Sequence, residues 1–273
     1  MRPAFAAALA ILAAAASVNP ASAAGPAASL DSATAVIIAG RQRMLSQRMA
    51  KAYLMLGQDI AAEDAWRILH DSIDQFQSQL AALRAFQPTA SVRRALVDLE
   101  TAWSQCHELL TAAPSTAGAD ELYDANETLQ RAAHRATLAY ERVTAAPLDH
   151  LINLAGRQRM LSQRMAKFYF YRTWELYDAP ADMELHLTRA HFTAVLSQIE
   201  SSPLASAQVT ARAAQLRREW EPYDKALFAS KQPAEMRKNA VRVAELSERV
   251  LAGTEELVTL ILGQARSDGN PAN

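Results

Sequence analysis

The sequence predicts an all-α protein made of two tandem up-down-up-down four-helix bundles, and three observations predict it. The string AGRQRMLSQRMAK occurs twice, from Ala39 to Lys51 and, 116 residues later, from Ala155 to Lys167. Self-similarity at a fixed spacing marks a duplicated structural unit. Proline and glycine punctuate the chain at helix-length intervals, at Gly57, Pro88, Pro114 with Gly118, Pro147, Pro180, Pro203 and Pro233. Between them run Ala, Leu, Gln, Glu and Arg, strong helix formers with little β-branched clustering.

These breaks set four helices per unit. In the first unit, 31–145, they are expected at 31–56, 59–86, 89–111 and 119–144. In the second, 148–266, they are expected at 148–178, 181–201, 204–230 and 234–266. Short connections force antiparallel neighbours. Pro222 falls inside the seventh and is placed to kink it. The motif opens each unit. At 100° per residue Ile38, Leu45, Met49, Ala52 and Leu56 share one face, which should pack into its own bundle. Opposite lies a second stripe of Val36, Gly40, Arg43, Gln47, Ala50 and Leu54, repeated as Ile152, Gly156, Arg159, Gln163, Ala166 and Phe170. A helix with two such faces is expected to be central.

Around this frame the composition is quiet. The net charge is −1, and the first two dozen residues hold one charge, Arg2. With no global basic field, nonspecific nucleic-acid binding is not expected. Arg2, the apolar run from Ala4 to Val18 and the Ala21-Ser22-Ala23 site read as a signal peptide over 1–23, too short in its apolar part to span a bilayer. The mature protein is therefore expected to be soluble in the periplasm. Cys106, the single cysteine, lies in a helical pattern near Trp103 and Leu109 and reads as a buried structural thiol.

Charge concentrates in the motif. No acid lies between Asp31 and Asp59 or between Asp149 and Glu175, while Arg41, Arg43, Arg48 and Lys51 are matched by Arg157, Arg159, Arg164 and Lys167. A buried arginine needs a counter-charge, because desolvating an unpaired ion costs several kcal/mol. Carboxylates on other helices supply it, or a bound anion does; the guanidinium fork suits planar oxyanions. Arg41 and Arg48 lie nearer the apolar side and read as structurally paired. Gly40 and Gly156 each cost about 1 kcal/mol in mid-helix relative to alanine, which points to close approach of a helix or a ligand.

The twice-present string Gly-Arg-Gln-Arg-Met-Leu-Ser-Gln-Arg-Met-Ala-Lys resembles the signature of the NarX-like N-terminal domain, also called the PilJ or type IV pili methyl-accepting chemotaxis transducer N-terminal domain. The resemblance covers both units, most closely at the motif helix. It implies a four-helix periplasmic domain that pairs with a second copy and holds nitrate or nitrite at the helix-helix interface. Gly40 and Arg43, with Gly156 and Arg159, are the implied site positions, and Gln47 and Gln163 continue the same stripe. Because the family's site is made by two identical chains, two copies in one chain could bring Arg43 and Arg159 together as an internal pair, with the motif helices meeting at a pseudo-twofold interface. Unlike the family's membrane receptors, the sequence shows neither a transmembrane segment nor a kinase or methyl-accepting part, so its output is expected to pass through a membrane receptor or sensor partner, or else the protein buffers or delivers a ligand.

Other chemistry lacks its residues. The histidines, His70, His107, His134, His150, His186 and His191, form no Glu-x-x-His or His-Glu-x-x-His element, and no Cys-x-x-Cys-His exists. A Gly-x-Ser-x-Gly elbow and a glycine-rich phosphate loop are also missing. Carboxylates such as Glu100, Glu108 and Glu141 fit solvated or bridging faces better than a catalytic pair. The sequence thus points to no enzyme, cofactor, metal or haem. It points to a sensor or binding protein for a small oxyanion, or alternatively to a helical module that docks on a membrane receptor or pilus apparatus, with structural arginines.

Overall fold

The computed structural model describes residue 30 and residues 32–144 and 148–268. The expected signal peptide lies outside these residues. The described chain is helical throughout, with no strand. Four helices form the first unit: α1 (Ser32–Gly57), α2 (Ala62–Ala85), α3 (Ala90–Thr111) and α4 (Thr116–Thr144). The second holds α5 (Asp149–Thr173), α6 (Asp178–Glu200), α7 (Ala207–Leu227), the short α8 (Pro233–Lys238) and α9 (Ala240–Asp268). No helix among the described residues is long and apolar enough to cross a membrane.

The motif helices α1 and α5 lie side by side at the centre, α1 also packing on α2 and α4 and α5 on α6 and α9. The outer helices α3 and α7 pack chiefly on α4 and α9. Gly40 and Gly156 lie at one level, each beside the same two guanidinium groups. Further along, Gln58 Nε2 donates to the Phe170 carbonyl at 2.9 Å and Thr173 Oγ1 donates to Gln58 Oε1 at 2.8 Å. Residues close to one repeat length apart therefore face each other, and α1 and α5 run parallel and nearly in register.

Local structure repeats with the sequence. Each motif helix ends where a residue turns left-handed, Asp59 (φ 57°) and Glu175 (φ 57°), followed by Ala61 (φ 45°) and Tyr177 (φ 53°). Asp59 N–H donates to Leu56 O and Ile60 N–H to Met55 O, copied as Glu175 to Arg172 and Leu176 to Tyr171. This paired bonding is the Schellman ending, made here without glycine. It stops α5 at Thr173, earlier than the expected 178. Thr89 and Ser206 cap α3 and α7 by accepting from Val92 N–H and Val209 N–H. Trp103 stacks on Phe76 at 4.2 Å and Trp220 on Phe192 at 4.5 Å, anchoring the two cores alike.

Two further expectations are refined. α7 continues through Pro222 to Leu227. The last expected helix is broken at Asn239, whose side chain donates to the Ala226 carbonyl, while Tyr169 Oη donates to the carbonyl of the buried Met236. Cys106 is fully buried, and burial pushes its thiol up to about 12, so it stays protonated.

Candidate functional site

Each motif residue has its task set by the face it occupies. Gln42 and Gln158 reach outward within their bundles, donating to the carbonyls of Phe76 and Phe192. Ser46 and Ser162 donate back to the carbonyls of Arg43 and Arg159, both at 2.8 Å. Gln47 donates to Asn126 Oδ1 at 3.1 Å on α4, and Gln163 to the Ser247 carbonyl at 3.0 Å on α9. The two Gln amides are thus engaged by the flanking helices, about one turn from the arginines. Their buried Oε1 atoms accept no hydrogen bond from the described residues.

The lower half of the motif ties the repeats together. Lys51, fully buried in α1, reaches Glu248 of α9 at 2.6 Å and Ser247 Oγ at 3.0 Å, and Arg48 grips the same carboxylate. In the mirror arrangement Lys167 of α5 meets Glu127 and Asn126 of α4, and Arg164 joins it while also holding Glu184. Burial opposes ionisation of Glu127 and Glu248, but the flanking cations and the hydrogen bonds they donate outweigh it and hold both carboxyls at about 2. Both clusters are ionised and cross from one unit to the other.

The upper half brings Arg43 and Arg159 together. Both are 2 % exposed or less, and both Nη2 atoms approach the two motif glycines. A Cβ at Gly40 would lie 3.3 Å from Arg43 Nη2 and 3.9 Å from Arg159 Nη2; at Gly156 the distances are 3.4 Å to Arg159 and 3.7 Å to Arg43. The glycines make the notch into which two guanidiniums converge. Arg159 Nη1 donates to Glu255 at 2.9 Å, and Glu255 also accepts from Arg41 at 2.8 Å. Arg43 makes no ion pair with a carboxylate among the described residues. Its Nη2 donates to Asn153 Oδ1 at 2.9 Å and its Nη1 lies 3.4 Å from His134 Nδ1; Asn153 Nδ2 in turn donates to Glu141. Burial, then the like charges of Arg159 and Arg157, pull the Arg43 pKa down to about 10 against the more distant pull of Glu141. Burial also lowers that of Arg159, partly offset by Glu255.

Sequence reasoning placed the arginines and glycines but did not find Glu127, Glu248, Glu255, His134, Asn126 or Asn153. The one signal was the acid-free motif helix, which demanded counter-charges from elsewhere without saying where. Of the carboxylates read as bridging, Glu141 holds Asn153 and Glu100 pairs with Arg84.

The model of the PilJ family, the type IV pili methyl-accepting chemotaxis transducer N-terminal domain, matches the chain twice, over residues 27–128 and 147–247. The chain belongs to this family. The first match ends within α4 and the second within α9, one match to each bundle, so the molecule carries tandem PilJ domains whose first helices pair with each other. No curated protein and no solved structure matches the chain.

Proposed function

We propose that the tandem PilJ protein is a periplasmic signal-input protein that binds a small oxyanion at the Arg43–Arg159 pair, passes its state to a membrane partner and performs no catalytic step. The observation that carries the reading is the convergence of two buried guanidiniums on a glycine notch with one carboxylate among the described residues, Glu255, in direct contact. Uncompensated buried charge is costly, and a planar anion bridging two guanidinium forks would offset it. Nitrate and nitrite are the ligands suggested by the NarX-like resemblance of the motif. Export follows from the leader-like residues 1–23.

A second reading has its own support. Arg41, Arg48, Arg164, Lys51 and Lys167 are all engaged in ion pairs, so most of the motif's charge serves assembly of the two domains. In that reading the protein is a helical module that docks on a receptor or pilus-linked chemosensory apparatus. The two separate in a melting experiment with millimolar nitrate, nitrite or chloride, on the wild type and an Arg43→Ala, Arg159→Ala double variant. A ligand selective for the folded state raises stability by mass action. The anion reading predicts a rise with nitrate or nitrite that chloride does not give and the variant lacks; no selective rise would favour the docking module.

A further inference from the structure

The two domains are alike in backbone but unlike in charge beside the arginine pair. The matching partners of Lys51 and Lys167, Glu248 and Glu127, fix the correspondence between α9 and α4. Seven residues onward, two turns along each helix, Glu255 on α9 corresponds to His134 on α4. Glu255 sits between Arg41 of one repeat and Arg159 of the other. His134 sits by the same rule 3.4 Å from Arg43 Nη1 and feels the charge of Arg157, which makes no ion pair with a carboxylate among the described residues.

We infer that the oxyanion is held on one side of the arginine pair only, by Arg43 with Arg157 and His134, while on the other side Glu255 occupies the equivalent position and engages Arg159 in the ligand's stead. The inference rests on the anion-binding reading and deepens it. Glu255 Oε2 alone accepts from both Arg41 and Arg159, so one oxygen of a free oxyanion would by the same arrangement take its place between Arg157 and Arg43. His134 is exposed, which opens that side to solvent, whereas Arg43 is 2 % exposed and lies at its floor. With Arg43 Nη1 donating, His134 Nδ1 accepts and Nε2 carries the proton, so the imidazole is neutral and supplies none of the negative charge that Glu255 supplies on the other side. Burial disfavours the imidazolium, and the cations that face it, Arg43 from α1, Arg157 from α5 and Arg135 on its own helix, disfavour it further. Glu141 acts on Arg43 from behind the Asn153 amide.

The test titrates nitrate and nitrite into the full chain and into His134→Glu, Arg157→Ala, Arg43→Ala and Arg41→Ala, each checked for helicity. His134→Glu reproduces the Glu255 arrangement and should raise the anion-free melting temperature while weakening anion binding by about tenfold or more. Arg157→Ala should weaken it comparably, and Arg41→Ala, on the Glu255 side, should leave it within about twofold. Wild-type affinity in both His134→Glu and Arg157→Ala, with loss in Arg43→Ala, would overturn the one-sided site and leave the anion reading standing. A wild type that binds neither anion would overturn both.

Discussion

At the scale of single residues, the motif separates cations by what neutralises them. Lys51 and Lys167 are fully buried yet each meets a carboxylate, Glu248 or Glu127, on the opposite repeat. Arg43 is equally buried and meets an amide and an imidazole instead. Replacing a buried ion by an apolar side chain of similar volume is often neutral or stabilising where its charge is poorly compensated. Arg43→Met is therefore expected to hold or raise the melting temperature in anion-free buffer, by roughly 1–2 kcal/mol at about 2–4 °C per kcal/mol for a chain of this size. Differential scanning calorimetry checks this, and a fall of several degrees would mark Arg43 as a structural residue. The two glycines were legible as a demand for close approach; that two guanidiniums, and not a second helix backbone, fill the notch was not, because side-chain reach is not written in helical spacing.

Among the helices, punctuation by proline and glycine located nearly all of them, since those residues act locally. The end of α1 was found at Gly57, one residue from the expected 56, but the end of α5 at Thr173 was missed because the left-handed Glu175 is not glycine and carries no compositional mark. The break at Asn239 was missed because it depends on Ala226 and Tyr169, distant in sequence. That extra turn also shifts α9 relative to α4, so Glu127 with Glu248, and His134 with Glu255, do not repeat at the motif's own spacing and stay hidden to a search for it. These carboxylates couple helices across the repeats, α1 to α9 and α5 to α4. Their folded pKa values, about 2 against an ordinary 4.5, mean that the unfolded chain binds more protons between those values. The stability they contribute is present above about pH 4.5 and is lost as the pH falls toward about 2. The melting temperature of the wild type should thus drop more steeply across that window than that of Glu248→Gln; equal slopes would show that the crossing ion pairs add nothing.

For the whole molecule, the duplicated sequence becomes a pair folded inside one chain. The second stripe of each motif helix, from Val36 to Leu54 and from Ile152 to Phe170, is buried, with α1 and α5 lying against each other. The arginine pair, the glycine notch and the contrast between His134 and Glu255 all depend on that parallel, nearly in-register contact. The most direct measurement is to produce residues 32–144 and 148–268 as separate chains, mix them and determine the mass of the product by size exclusion with light scattering. A one-to-one complex is predicted, held by the apolar stripes and by Lys51 on Glu248 and Lys167 on Glu127. Two well-folded monomers that ignore each other would contradict the internal pairing and, with it, the site built on it.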